Sequence, residues 1–261
     1  MVYARYVAIG DSQTEGIGDP DGNGGWRGFA DRLAAHLATV APDLRYANLA
    51  VRGKLTRQVR EEQLDAALAL RPDLVTVVAG MNDLVRPSFS AETVVSNLDG
   101  MFAELTATGA RVASLTFPDL ARLSPIMRPL RHRVLDLNAG IRTSAARHGV
   151  VVVETFGYSV TTDPRLWSPD RIHASPLGHA RIAAAFAEVL ALPGSDNSWS
   201  RPLPGARTAT VVRTVTEELR WLTSSAAPWL YRRVRRRSTG DRRTPKRPTL
   251  VPVNPPASEP A

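Results

Sequence analysis

Tyr3-Ala4-Arg5-Tyr6-Val7-Ala8-Ile9-Gly10-Asp11-Ser12-Gln13-Thr14-Glu15-Gly16 opens the chain with a short β-rich run that stops at a polar, glycine-flanked turn. The same apolar, β-rich pattern returns at 44–49, 73–79, 111–116 and 150–155, roughly every 30 to 40 residues. Between these runs lie stretches of helical periodicity at 26–40, 56–70 and 91–108 and one ending near His148, and 176–190 reads as a last helix with Ser175 as its cap. Near-continuous apolar strands alternating with helices call for a parallel sheet covered on both faces, with right-handed crossovers. The expected fold is therefore a three-layer α/β/α sandwich on five parallel strands.

The 261 residues are 43% hydrophobic, enough for one domain with a sizeable core. With no cysteine, disulfides, thiolate catalysis and zinc–thiolate sites are excluded. The first ten residues lack a basic region, a long apolar segment and a cleavage site, so the protein is read as unexported and cytoplasmic.

A net charge of +8 suggests an acidic partner until its distribution is examined. From Arg201 onward there are 13 Lys/Arg against 4 Asp/Glu, net +9, which leaves 20 against 21, net −1, for 1–200. The body thus has no global attraction for an acidic polymer. The expected organisation is a catalytic domain at 1–192, a Pro/Gly-rich linker at 193–207, a basic amphipathic helix at 208–237 and a disordered basic, Pro-rich tail at 238–261. Trp221 and Trp229 beside the run 232–237 make an anionic membrane surface the candidate partner of that helix; the alternative is a solvated tail packed on the body. No nucleic-acid-binding module is recognisable.

Ser12 falls at the C-terminal edge of the first strand, where open α/β sheets bind ligands. Gly-Asp-Ser also fits an ordinary turn, so a nucleophilic role requires a base. Of the five histidines, His36, His132, His148 and His179 fall in or beside helices or in an Arg-rich stretch, whereas His173 lies in the loop after the last strand, three residues from Asp170. That spacing lets the carboxylate fold back on the imidazole and fix its tautomer. An oxyanion would need donors, and Gly53, after the second strand, and Asn82, after the third, lie on neighbouring loops. Each also has a plain reading, Gly53 as a turn glycine and Asn82 as a helix cap. Asp83 and Asp119 have no clustered His and carboxylate spacing to support a metal.

Gly10-Asp11-Ser12, Gly53 in Asn48-Leu49-Ala50-x-x-Gly53, Gly80-x-Asn82-Asp83 and Asp170-x-x-His173 together resemble the four sequence blocks of the SGNH, or GDSL, hydrolase family, in order and spacing, over about residues 3–192. The resemblance implies a flavodoxin-like sandwich and a serine esterase or lipase working through an acyl-enzyme. Ser12 would be nucleophile and oxyanion donor, Gly53 and Asn82 the remaining donors, His173 the base and then the acid, and Asp170 its orienter. It implies no cofactor and no metal, and a small-molecule ester as substrate. Gln13 departs from the Leu or Ile often found after that serine. An acyltransferase using the same triad, and a non-catalytic scaffold recruited through the basic tail, are the rival readings; oligomeric state is not legible.

Overall fold

A computed structural model of the chain describes residues 2–205, 240 and 242–253. The five expected strands are present as β1 (Arg5–Gly10), β2 (Arg45–Asn48), β3 (Leu74–Val78), β4 (Arg111–Leu115) and β5 (Val151–Val153). Their interior positions are almost all buried, so each strand lies between two layers of apolar side chains, as the sequence requires. The long helices are α2 (Gly28–Val40), α3 (Thr56–Ala69), α5 (Ala91–Ala107), α7 (Arg131–His148) and α8 (Pro176–Val189). One-turn helices α1 (Ser12–Glu15), α4 (Met81–Leu84) and α6 (Leu120–Leu123) follow β1, β3 and β4 directly. Helices α2 and α8 pack together, as do α3, α5 and α7, and the two groups cover the sheet. Ser175 caps α8 by accepting from the Gly178 N–H, and Pro176 takes the first turn, where a missing N–H is harmless.

The strand order is β5-β4-β3-β1-β2-β6, and β1 to β5 are mutually parallel. The chain leaves β1 toward β2 on one side and returns to β3 on the other, so the order reverses between β1 and β3. A crevice opens at the carboxyl ends of the strands at such a point, and Ser12 is the second residue beyond β1.

The sixth strand corrects the expectation for the tail. Composition assigns residues 238–261 to disorder, but β6 (Arg247–Pro252) pairs antiparallel with β2, giving six strands instead of five. Its support is tertiary: β2 presents an unpaired edge, the Arg247 guanidinium lies 5.2 Å over the Tyr46 ring, and Leu250 and Val253 pack against the core. Pro248 and Pro252 are tolerated because an edge strand needs only half its N–H groups. The packed body also runs past residue 192, since Trp199 in the expected linker is buried in the main core. The amphipathic helix expected at 208–237 lies outside the described residues. No helix among the described residues is long and apolar enough to cross a membrane.

Candidate active site

Gly10 sets the direction in which the chain leaves β1. It has φ +152, and a Cβ there would lie 2.2 Å from the Val78 carbonyl oxygen, so no side chain fits. Gln63, buried on the inner face of α3, grips this peptide from both sides: its Oε1 accepts the Gly10 N–H at 2.8 Å and its Nε2 donates to the Gly10 carbonyl at 2.9 Å. Asp11 caps α1 by accepting from the Gln13 N–H. Ser12, only 9% exposed, therefore stands on a backbone fixed on both sides.

The structure brings His173 to that hydroxyl from 161 residues away, with Nε2 2.9 Å from Ser12 Oγ. Its Nδ1 lies 2.7 Å from Asp170 Oδ2. The other carboxylate oxygen accepts the N–H groups of Ile172 at 2.9 Å and His173 at 3.0 Å, so Asp170 both shapes the turn and faces the imidazole. Arg171, between them, has φ +52, a conformation uncommon outside glycine that this tight turn imposes. Burial raises the Asp170 carboxyl, but the hydrogen bond and charge of His173 with the two backbone donors outweigh it and hold the group below the usual carboxylate range. An ionised Asp170 keeps the ring proton on Nδ1 and leaves Nε2 free to accept.

Gly53 and Asn82 reach the same place by indirect bonds. Gly53 is buried in the turn after β2 with φ +77. Its neighbours anchor it: the Arg52 N–H donates to Glu15 Oε2 at 2.7 Å, the Arg52 guanidinium is also bound to Glu15, and Asn48 Nδ2 donates to the Thr14 carbonyl at 2.8 Å. Asn82 Nδ2 donates to Asp11 Oδ2 at 2.9 Å and to the Lys54 carbonyl at 3.1 Å. One amide thus ties the residue before Ser12 to the residue after Gly53. Both of its hydrogens are engaged, so donation to a third acceptor means sharing one of these bonds. Burial is the main influence on Asp11, lifting its carboxyl to about 6 against the pull of its hydrogen bonds and of His173.

Reading the sequence alone does not single out Gln63, Asp11, Glu15 or Arg52. For Gln63 the signal is a glutamine amid the inward positions Val59, Leu64 and Ala67 of α3. His179 is buried and structural, its Nδ1 accepting from the Phe29 N–H while burial lowers it to about 4. Asp83 accepts from the N–H and hydroxyl of Thr56, and Asp119 pairs with Arg131. Among the described residues no group of three or more His, Asp or Glu could hold a metal ion. Trp26 presents its carbonyl to Lys246 Nζ at 2.8 Å.

A model of the GDSL-like lipase/acylhydrolase family matches residues 8–181. Among solved structures, the chain is similar to an α/β hydrolase enzyme from the metagenome of Lake Arreo, Spain, at 26% identity and TM-score 0.61, covering 74% of this chain and 97% of that one. An acetylxylan esterase from Geobacillus stearothermophilus is similar at 19% identity and TM-score 0.60, over 76% and 96% of the two chains. A lipase/acylhydrolase from Enterococcus faecalis is similar at 22% identity and TM-score 0.59, over 71% and 94%. The last two likenesses carry the fold alone. No curated protein matches the sequence.

Proposed function

The chain belongs to the GDSL-like lipase/acylhydrolase family and is a carboxylic ester hydrolase, and from that premise we propose that it works through an acyl-enzyme formed on Ser12. The reading is carried by the continuous hydrogen-bonded series from Ser12 Oγ through the His173 ring to Asp170, at 2.9 and 2.7 Å.

In the first half-reaction Ser12 Oγ attacks the ester carbonyl while His173 Nε2 takes its proton. The imidazolium is stabilised by Asp170, which stays ionised. The Ser12 N–H, the Gly53 N–H and the Asn82 amide face the developing oxyanion, each donor contributing about 3 to 4 kcal/mol at the transition state. His173 returns the proton to the leaving alcohol. Water then repeats the sequence and releases the acid. The substrate is a small-molecule ester, and no step calls for a metal or cofactor. Acyl transfer to an alcohol would use the same groups, with the acceptor replacing water in the second half-reaction.

The test is mass-spectrometric mapping of a fluorophosphonate probe on the native protein, with Ser12→Ala and His173→Ala as controls. Labelling is expected on Ser12 alone and lost in both variants. A label on another serine, or none on folded protein, overturns the assignment. Product analysis with added alcohols distinguishes hydrolysis from transfer.

A further inference from the structure

Beside Ser12 lies a recess with mostly apolar walls, part of it open to solvent. It starts at the residues flanking the reactive groups: Asp11 and Gln13 on either side of Ser12, Met81 before Asn82 and Ala174 after His173. It continues past the C-terminal ends of β3, β4 and β5 at Val78, Leu115 and Val153, beneath α8 from Gly178 to Ala185.

The chemistry of the walls selects the occupant. Among the described residues Asp11 and Arg181 are the only charged ones on them, and the Arg181 guanidinium is bound to the Ser198 carbonyl. The hydroxyls of Thr116, Thr155 and Thr161 all bond within the protein, to Glu154, the Thr116 carbonyl and the Thr155 carbonyl. The indole N–H groups do likewise, Trp167 to the Thr161 carbonyl and Trp199 to Glu188. These walls offer methyl groups and ring faces to an occupant. A saccharide would lose water there and find few partners, at a cost for each unpaired hydroxyl. An alkyl chain loses nothing polar and gains from burial.

We propose that this recess holds the acyl chain of the ester, making the substrate a medium-chain acyl ester. The proposal rests on Ser12 being the acylated residue. The span from Gly178 to Ala185 is about 10 Å at the helical rise per residue, the length of an extended chain of about eight carbons. Gln13, next to Ser12, lines the recess. Its Oε1 accepts the Ala174 N–H at 3.2 Å, so this side chain bridges the residue after the nucleophile to the residue after the base. Trp199, contributed from beyond the family match, closes part of the wall and lies 5.0 Å from the Tyr158 ring.

The experiment measures kcat/KM of the full-length protein for p-nitrophenyl esters from acetate to dodecanoate, with Ile182→Trp filling the recess and Ile182→Ala enlarging it. In parallel, calorimetry measures octanoate binding to Ser12→Ala and to the double variant Ser12→Ala/Ile182→Trp. For the wild type kcat/KM should rise by about fourfold per methylene, equivalent to about 0.8 kcal/mol each, to a maximum near octanoate. Ile182→Trp should lower the octanoate-to-acetate ratio at least tenfold, and Ile182→Ala should move the maximum to longer chains. Octanoate should bind Ser12→Ala, and bind the double variant more weakly. A wild type that labels at Ser12 yet prefers acetate, with ratios unmoved in both variants and no octanoate bound, overturns the acyl pocket and leaves the hydrolase reading intact. Octanoate binding that responds to Ile182→Trp in a protein that neither labels at Ser12 nor cleaves any ester overturns the hydrolase reading, and the acyl assignment with it.

Discussion

Replacing Asp170 with asparagine exchanges one carboxylate oxygen for an amide nitrogen, and the surrounding bonds dictate which one. Oδ1 accepts two backbone N–H groups, at 2.9 and 3.0 Å, so the amide oxygen must stay there. Turned the other way, the NH2 group would face two donors, leaving two N–H groups unpaired at about 1 to 3 kcal/mol each. The NH2 therefore faces His173 Nδ1, which must then accept, and the ring proton moves to Nε2. A protonated Nε2 opposite Ser12 Oγ is unable to take the serine's proton. The productive orientation is disfavoured by about 2 to 6 kcal/mol, and the lost carboxylate charge beside the imidazolium adds to this. The expected fall in kcat is about 10⁴-fold, typical of a triad held in the wrong tautomer. The assay is kcat on a p-nitrophenyl ester at pH 7, with thermal melts of the same samples. Because the turn keeps its acceptor, Tm should change little in Asp170→Asn, whereas Asp170→Ala, which removes that acceptor, should melt lower. An Asp170→Asn enzyme that melts like the wild type and keeps more than a tenth of its kcat refutes the tautomer argument.

Three further outcomes follow from groups around the site. Lys246 Nζ donates to the carbonyls of Trp26 and Arg27 at 2.8 Å each and to Asp31 at 2.5 Å; Lys246→Met leaves the partly buried Asp31 carboxylate with the Tyr46 hydroxyl at 3.4 Å and Arg247 at 3.9 Å and should cost about 3 kcal/mol, roughly 6 to 12 °C in Tm. Adding Asp31→Asn should recover most of that loss, and strictly additive losses in calorimetry contradict the pairing. Burial lifts Asp11 to about 6, so the folded protein keeps a proton that the unfolded chain releases near 4; the resulting stabilisation, about 3 kcal/mol, is complete below the unfolded value and is lost as pH rises through 6. The stability of Asp11→Asn relative to wild type should therefore climb by about that amount between pH 3.5 and 7 in urea titrations, and a pH-independent difference refutes it. At Gly178 a Cβ would lie 2.0 Å from the Leu166 carbonyl oxygen, so Gly178→Ala should push α8 off the loop that carries His173 and cost about 1 to 3 kcal/mol, measurable as a lower Tm.

The parallel core was legible because its information is local. Residues 73–79 are apolar almost throughout, and β3 forms inside that range; 91–108 has helical spacing behind Ser90, and α5 occupies 91–107. Asp170 and His173 were legible as a pair because three residues of loop suffice to join them. Gln63 was not, because its partner Gly10 lies 53 residues away and only the packing of α3 on β1 joins them. β6 was hidden for a related reason. Arg247, Pro248 and Pro252 weaken it as an isolated strand, and what orders it is the open edge of β2 together with Tyr46 and the Lys246–Asp31 pair. Composition reports what a segment can bury by itself. It does not report a vacant place made by distant residues.

That vacant place has a history during synthesis. About two hundred residues separate β2 from β6, which at 5 to 20 residues per second amounts to roughly 10 to 40 s on the ribosome. Throughout that interval the outer edge of β2 can be formed while its partner strand has yet to be made, and an open edge is a template for any extended neighbour. Translation speed through the last third of the message, and the density of ribosomes upon it, therefore bear on how much of this enzyme closes its own sheet before meeting another chain. A stop codon placed just before Arg247 would turn that passing exposure into a permanent one.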